Sequence, residues 1–235
     1  MNDEDKLKIA LKGRVAISID AANLEQSIKE IEVFPPTHIR PGMMWKKEDY
    51  KWRVNYKNLY QYFKSNSQLS WIKFYSARFD TETHNGFLTV LKNLGYELYT
   101  KPVKTIDEKT IDRKCIYCGE WKRFVPVFKC DECKKENLSS NLRKADVDVE
   151  ISVDAVARLE EYDTLVIFSG DSDFQYLIEY LRKRNKEIII ISHRNHIAKE
   201  IRTDSCLSLY IDVVKMMKEW LEVVKKPLKM PKPLK

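Results

Sequence analysis

The sequence predicts an α/β fold, a parallel sheet with crossover helices. Three observations carry that reading. Short runs rich in apolar, β-branched and aromatic residues recur at residues 15–19, 71–76, 96–99, 165–168, 187–192 and 206–211. Stretches with apolar residues at helical spacing stand between them, at residues 21–31, 55–63, 87–94 and 174–181. Aspartates stand where a strand gives way to a helix: Asp20 after the first run, Asp171 and Asp173 after the run at 165–168. In open α/β sheets that edge is where ligands bind.

The stretch 164–174, TLVIFSGDSDF, organises the rest. Its first half reads as a buried central strand. Ser169-Gly170 ends it, and Asp171 and Asp173 open the next helix. An N-cap explains one acid. Two acids beside a glycine at the mouth of a sheet point to a metal or phosphate site.

A chain of 235 residues, 43% of them hydrophobic, can bury one sizeable core with a small appendage. The net charge of +7 makes polyanions welcome partners. No apolar run approaches a membrane span, and residues 1–6 lack the form of a signal peptide, so a cytoplasmic protein is expected. Five cysteines in a reducing compartment point to metal rather than disulfides.

Residues 1–12 are charged and predict a short or frayed helical lead. Asp20 then caps a helix whose first turn holds Asn23. Residues 34–53 begin with Pro35, Pro36, Pro41 and Gly42, which break regular structure. Trp45, Lys46, Lys47, Lys51, Trp52 and Arg53 then interleave rings with cations. That mix suits single-stranded nucleic acid, and equally a long loop whose tryptophans pack on their own domain. Gly95 closes the helix before residues 96–99.

Cys115, Cys118, Cys130 and Cys133 form a CxxC…CxxC set with eleven residues between the pairs. Two tight turns, each offering two thiolates, complete a tetrahedron around Zn²⁺. Four thiolates leave no open position, so this zinc is expected to be structural. A redox dithiol is the alternative, but such motifs rarely come as matched doublets. A small hairpin is expected at 124–128, and Cys206 reads as a buried cysteine.

Residues 144–156 predict a helix. Asp148 falls in line with Ile151 and Ala155, an apolar stripe, where a carboxylate is costly without a partner. Asp154 is explained by an i,i+4 pair with Arg158, and Asp146 by the helix dipole. His193 and His196 follow the strand at 187–192 as loop histidines. A short helix is expected at 193–201 and a C-terminal one at 213–224. The tail 225–235, rich in Lys and Pro, reads as disordered.

In a parallel sheet, Asp20, Asp148, Asp171 and Asp173 can converge at one end. Carboxylates without a dedicated histidine suit Mg²⁺ or Mn²⁺. Four ordered motifs then resemble the NYN domain family, the LabA-like branch of the PIN-like nuclease superfamily. They are Ile19-Asp20-Ala21-Ala22-Asn23-Leu24, Val54-Asn55-Tyr56-Lys57-Asn58-Leu59, the lysine-then-aspartate stretch 144–155, and Ser169-Gly170-Asp171-Ser172-Asp173-Phe174. Ala145-Asp146-Val147 stands where the family has Gly-Val.

The resemblance implies a Rossmann-like (PIN-like) sheet over residues 14–212; the zinc-ribbon insert read from the cysteines, at 112–136, and the Trp-rich loop depart from the family pattern. It implies a metal-dependent endoribonuclease that leaves 5′-phosphate and 3′-hydroxyl ends. Asp20, Asp148, Asp171 and Asp173 would hold metal, Asn23 would orient water or phosphate, and Asp154 would support them. Lys144 joins the RNA-contact candidates, and single-stranded RNA and a second copy of the chain are the expected partners. A non-catalytic RNA-binding module, or a phosphatase or nucleotide hydrolase with the same acids, remain the alternatives.

Overall fold

The structure, a computed structural model, describes residues 2–33, 46–107, 111–124, 127–129, 136–138, 141–203 and 205–226; for 104–113 and 123–144 the backbone alone is described. The strands are β1 (Arg14–Asp20), β2 (Tyr50–Val54), β3 (Gln68–Arg78), β4 (Glu97–Pro102), β5 (Lys104–Asp107), β6 (Ile111–Lys114), β7 (Trp121–Phe124), β8 (Val127–Lys129), β9 (Glu136–Leu138), β10 (Asn141–Lys144), β11 (Thr164–Phe168), β12 (Glu187–Ser192), β13 (Leu209–Asp212) and β14 (Leu221–Lys225). The helices are α1 (Asp3–Ala10), α2 (Ala21–Lys29), α3 (Tyr56–Asn66), α4 (Glu82–Leu94), α5 (Asp148–Ala157), α6 (Gln175–Arg182), α7 (Lys199–Arg202) and α8 (Met217–Trp220).

Six strands form one parallel sheet in the order β13-β12-β11-β1-β3-β4. The chain leaves β1 toward β3 and leaves β11 toward β12, in opposite directions. The switch point therefore lies between the neighbours β1 and β11, and the C-terminal ends of strands at such a point are where these sheets bind ligands.

Burial follows the alternation of each strand. Val15, Ile17, Ile19, Val166, Phe168, Ile189 and Ile191 face one layer, with Leu24 of α2, Leu59 of α3 and Leu91 of α4. Ala16, Trp71, Tyr75, Leu165, Ile167, Ile188 and Ile190 face the other, with Ile151 of α5 and Ile178 of α6. Apolar residues on both faces are what a central parallel strand requires.

Both ends of the described chain join this core, which therefore extends past 14–212. Leu7 of α1 is fully buried, and so is Trp220 of α8, stacked on Phe63 at 5.6 Å. The helix expected at 213–224 is corrected: a 3₁₀ turn at Val213–Met216 leads into α8, which ends at Trp220, and β14 comes next, antiparallel to β2. Val223 and Val224 favour extended backbone, and β2 offers them a partner. The short helix expected at 193–201 is confined to α7.

In the cysteine-rich stretch, β5 and β10 pair antiparallel as a stalk. The hairpin expected at 124–128 is replaced by two antiparallel pairs: β6 with β7, flanking Cys115 and Cys118, and β8 with β9. Cys130 and Cys133 lie outside the described residues.

Candidate functional site

Asp20 ends β1 and caps α2. Its Oδ1 accepts the N–H groups of Ala22 at 3.0 Å and Asn23 at 3.1 Å, while Oδ2 has no donor among the described residues. The side chain is almost wholly buried. Burial raises its pKa, the two N–H groups oppose this, and the charges of Asp171 and Asp146 push it up further.

Asp171 leaves β11 on a clamped loop. The Gly170 N–H donates to Asn23 Oδ1 at 3.2 Å, and the Gly170 carbonyl accepts from the Ala198 N–H at 2.8 Å. A Cβ at Gly170 would lie 2.4 Å from the His196 carbonyl oxygen and 2.7 Å from Ile197 Cα, so glycine alone fits. Asp171 Oδ1 in turn accepts the Asp173 N–H at 3.1 Å. The oxygen of Asn23 is thus committed to the loop that carries the acids.

Asp148 opens α5 and is half-buried. It accepts no hydrogen bond from the described residues. Burial, then the charges of Asp20, Asp171, Asp146 and Asp173, push its pKa up to about 6. Asp146, read as a helix-dipole acid, stands before the helix and adds to this field. A cleft of about 550 Å³ runs along α5, lined by Asp148, Asp173, Val149, Ser152, Val153, Val156 and Ala157. Asp148 and Asp173 thus share one wall with an apolar strip.

Asp154 stands apart. Its Oδ2 lies 2.5 Å from Lys73 Nζ and 2.8 Å from the Tyr75 hydroxyl. Burial alone would raise it, but those two donors outweigh burial and hold it below the usual carboxylate range. The side-chain pair expected with Arg158 is corrected: that guanidinium bonds Glu97 at 2.7 Å and Glu161 at 2.8 Å. Nearby, Lys101 Nζ bonds Glu150 at 2.8 Å and the Asp146 carbonyl at 2.6 Å, fixing the approach to α5. Neither lysine was singled out from the sequence. Lys73, the lone cation in the run Trp71-Ile72-Lys73-Phe74-Tyr75, was the available signal.

The remaining candidates fall elsewhere. Trp52 Nε1 donates to the Glu32 carbonyl at 3.0 Å, Arg53 pairs with Glu222 at 2.6 Å and Lys47 with Glu32 at 2.5 Å. Lys46 and Lys51 are exposed. Trp45 and the side chain of Lys144 lie outside the described residues. His193 is buried, its Nδ1 accepting the Asn195 N–H at 3.2 Å, so it shapes its loop.

Asp20, Asp148, Asp171 and Asp173 stand at one sheet edge within reach of one another's charge, and none is ion-paired among the described residues; unpaired carboxylates are the donor type that hard divalent cations take. As placed, no three acidic, histidine or cysteine side chains among the described residues are close enough to hold one. Among these residues, too, no helix is long and apolar enough to cross a membrane.

A parallel sheet with aspartates gathered at its switch point is an α/β domain that presents its acids at the C-terminal edge, and the family it matches is nuclease-like. The family model described as NYN domain matches residues 14–117 and 124–211, and the chain belongs to that family. It is 25% identical over 174 residues to the low amplitude and bright protein LabA of Synechococcus elongatus, covering 73% of this chain and 78% of LabA. The crystal structure of a protein of unknown function from Vibrio parahaemolyticus superposes with a TM-score of 0.55, over 86% of this chain and 94% of that one. The two are 18% identical, and the likeness speaks to the fold.

Proposed function

We propose that this chain is a metal-dependent endoribonuclease acting on single-stranded RNA. The observation that carries this is Asp148 at the switch point of a nuclease-like family's fold, half-buried, its pKa raised by burial and then by the charges of four other aspartates. Asp20, Asp148, Asp171 and Asp173 would hold Mg²⁺ or Mn²⁺. When bound, such a cation supplies a Lewis acid for a phosphate oxygen and lowers the pKa of water. Asn23 and Gly170 keep Asp171 and Asp173 on a fixed loop. Lys73 takes up the charge of Asp154, which supports α5 rather than adding a fifth acid to the site. The strip of Val149 and Val153 gives a ribose or base an apolar surface beside the acids.

Cys115, Cys118, Cys130 and Cys133 would hold a structural Zn²⁺. At the described pair, N–H groups of Cys118 and Tyr117 donate to the Cys115 sulfur and lower its pKa, which suits a thiolate ligand.

The test is incubation of the purified chain with labelled single-stranded RNA in Mn²⁺, beside Asp171→Asn/Asp173→Asn. Cleavage that needs the cation, leaves 5′-phosphates and vanishes in the variant supports the reading. Salt-sensitive binding without cleavage assigns a non-catalytic RNA-binding module instead.

A further inference from the structure

The turn at Cys115 and Cys118 carries a surface that the acid site does not use. In the hairpin of β6 and β7, Lys114 stands opposite Trp121. The Cys115 N–H donates to the Glu120 carbonyl at 2.8 Å, and the Gly119 N–H to the Cys115 carbonyl at 2.9 Å. Gly119 takes φ +75°, which favours glycine. The turn is closed by its own backbone.

On this turn the large side chains stand in water: Ile116 is 87% exposed, Tyr117 92% and Trp121 67%. Lys114 and Lys122 beside them are exposed too. Among the described residues, the side chains of Lys114, Tyr117, Trp121 and Lys122 make no hydrogen bond, ion pair or ring contact. Grouped exposed apolar side chains mark an interaction surface. Rings interleaved with cations match unpaired nucleic acid, where bases stack on rings and phosphates meet lysines. The chain's charge of +7 favours the same polyanion.

The stalk links this surface to the acids. β5 comes just after the C-terminal end of β4, and Ala145, Asp146 and Val147 alone separate β10 from Asp148. Both roots lie at the sheet edge where Asp20 ends β1.

We infer that Tyr117 and Trp121, with Lys114 and Lys122, form a stacking platform for single-stranded RNA, a grip outside the acid site. This rests on the RNA reading above and names where else that substrate is held.

The test measures binding of a fluorescent oligouridine by anisotropy, using the full chain purified with Zn²⁺ and carrying Asp171→Asn/Asp173→Asn to prevent cleavage. Adding Tyr117→Ala/Trp121→Ala weakens binding about tenfold or more, since each stacked base is lost. Tyr117→Phe/Trp121→Phe retains most of the affinity, because the ring faces remain. Lys114→Ala/Lys122→Ala lowers the salt slope by about 1–2. Equal zinc content and circular dichroism show that each variant is folded.

Unchanged affinity in the alanine pair overturns the inference. So does unchanged affinity with a shift from dimer to monomer, which gives the platform to a second copy of the chain. Wild-type cleavage with a silent alanine pair leaves the nuclease reading standing. A parent chain that does not bind RNA, together with a wild type that does not cleave it, removes both.

Discussion

Lys73 Nζ, on β3, lies 2.5 Å from Asp154 Oδ2, on α5. The contact joins the sheet to the helix that carries Asp148, and both side chains are largely shielded, at 15% and 26% exposure. Lys73→Met leaves Asp154 with the Tyr75 hydroxyl as its remaining donor to that oxygen. The expected loss is about 1–3 kcal/mol, measured by urea unfolding at pH 7. Asp154 is held below its ordinary pKa, so its contribution is present above about pH 4 and lost as pH falls through the lower folded value. The stability gap between wild type and Asp154→Asn therefore narrows in acid.

Asp148 behaves in the opposite sense. Its folded pKa of about 6 lies above the ordinary 3.8, so folding takes up a proton between those values. Its contribution is favourable to folding below about pH 4 and is lost as pH rises through 6. In EDTA, Asp148→Asn stabilises the chain at pH 8 by about 1–2 kcal/mol, after allowance for solvent at a half-buried group, and changes little at pH 4. Thermal melts across pH measure this directly.

Gly170→Ala places a methyl against the His196 carbonyl oxygen at 2.4 Å. The loop must move, at a cost of about 1–3 kcal/mol. Asp171 and Asp173 move with it, so the proposed RNA cleavage falls further than stability does. Asn23→Ala removes the acceptor for the Gly170 N–H and weakens the same clamp from the other side. Cleavage rates on protein shown to be folded separate these effects.

The zinc proposed at the cysteines has its own test: Cys115→Ser/Cys118→Ser reduces the zinc content measured by atomic absorption. Because the main sheet buries its own two layers, the far-UV circular dichroism of the α/β core persists.

Much of this site was legible because its acids obey local rules. Asp20 and Asp171 each stand just past an apolar run and cap the next helical turn, a pattern visible within ten residues. Asp148 announced itself as a carboxylate in line with Ile151 and Ala155, and both of those are fully buried. The features that escaped depend on distant pairing. Lys73 meets Asp154 across 81 positions, and Asn23 meets Gly170 across 147. The strand β14 escaped for the same reason: residues 221–225 fit either period, and the partner that decides, β2, lay in a stretch read as loop.

The most direct measurement is Mn²⁺ titration by calorimetry into the full chain purified with Zn²⁺. The account predicts binding to the wild type that is lost in Asp20→Asn and in Asp148→Asn and kept in Asp154→Asn, whose charge Lys73 already meets. Equal binding by all four proteins would contradict it and remove the aspartates at the switch point as the working site.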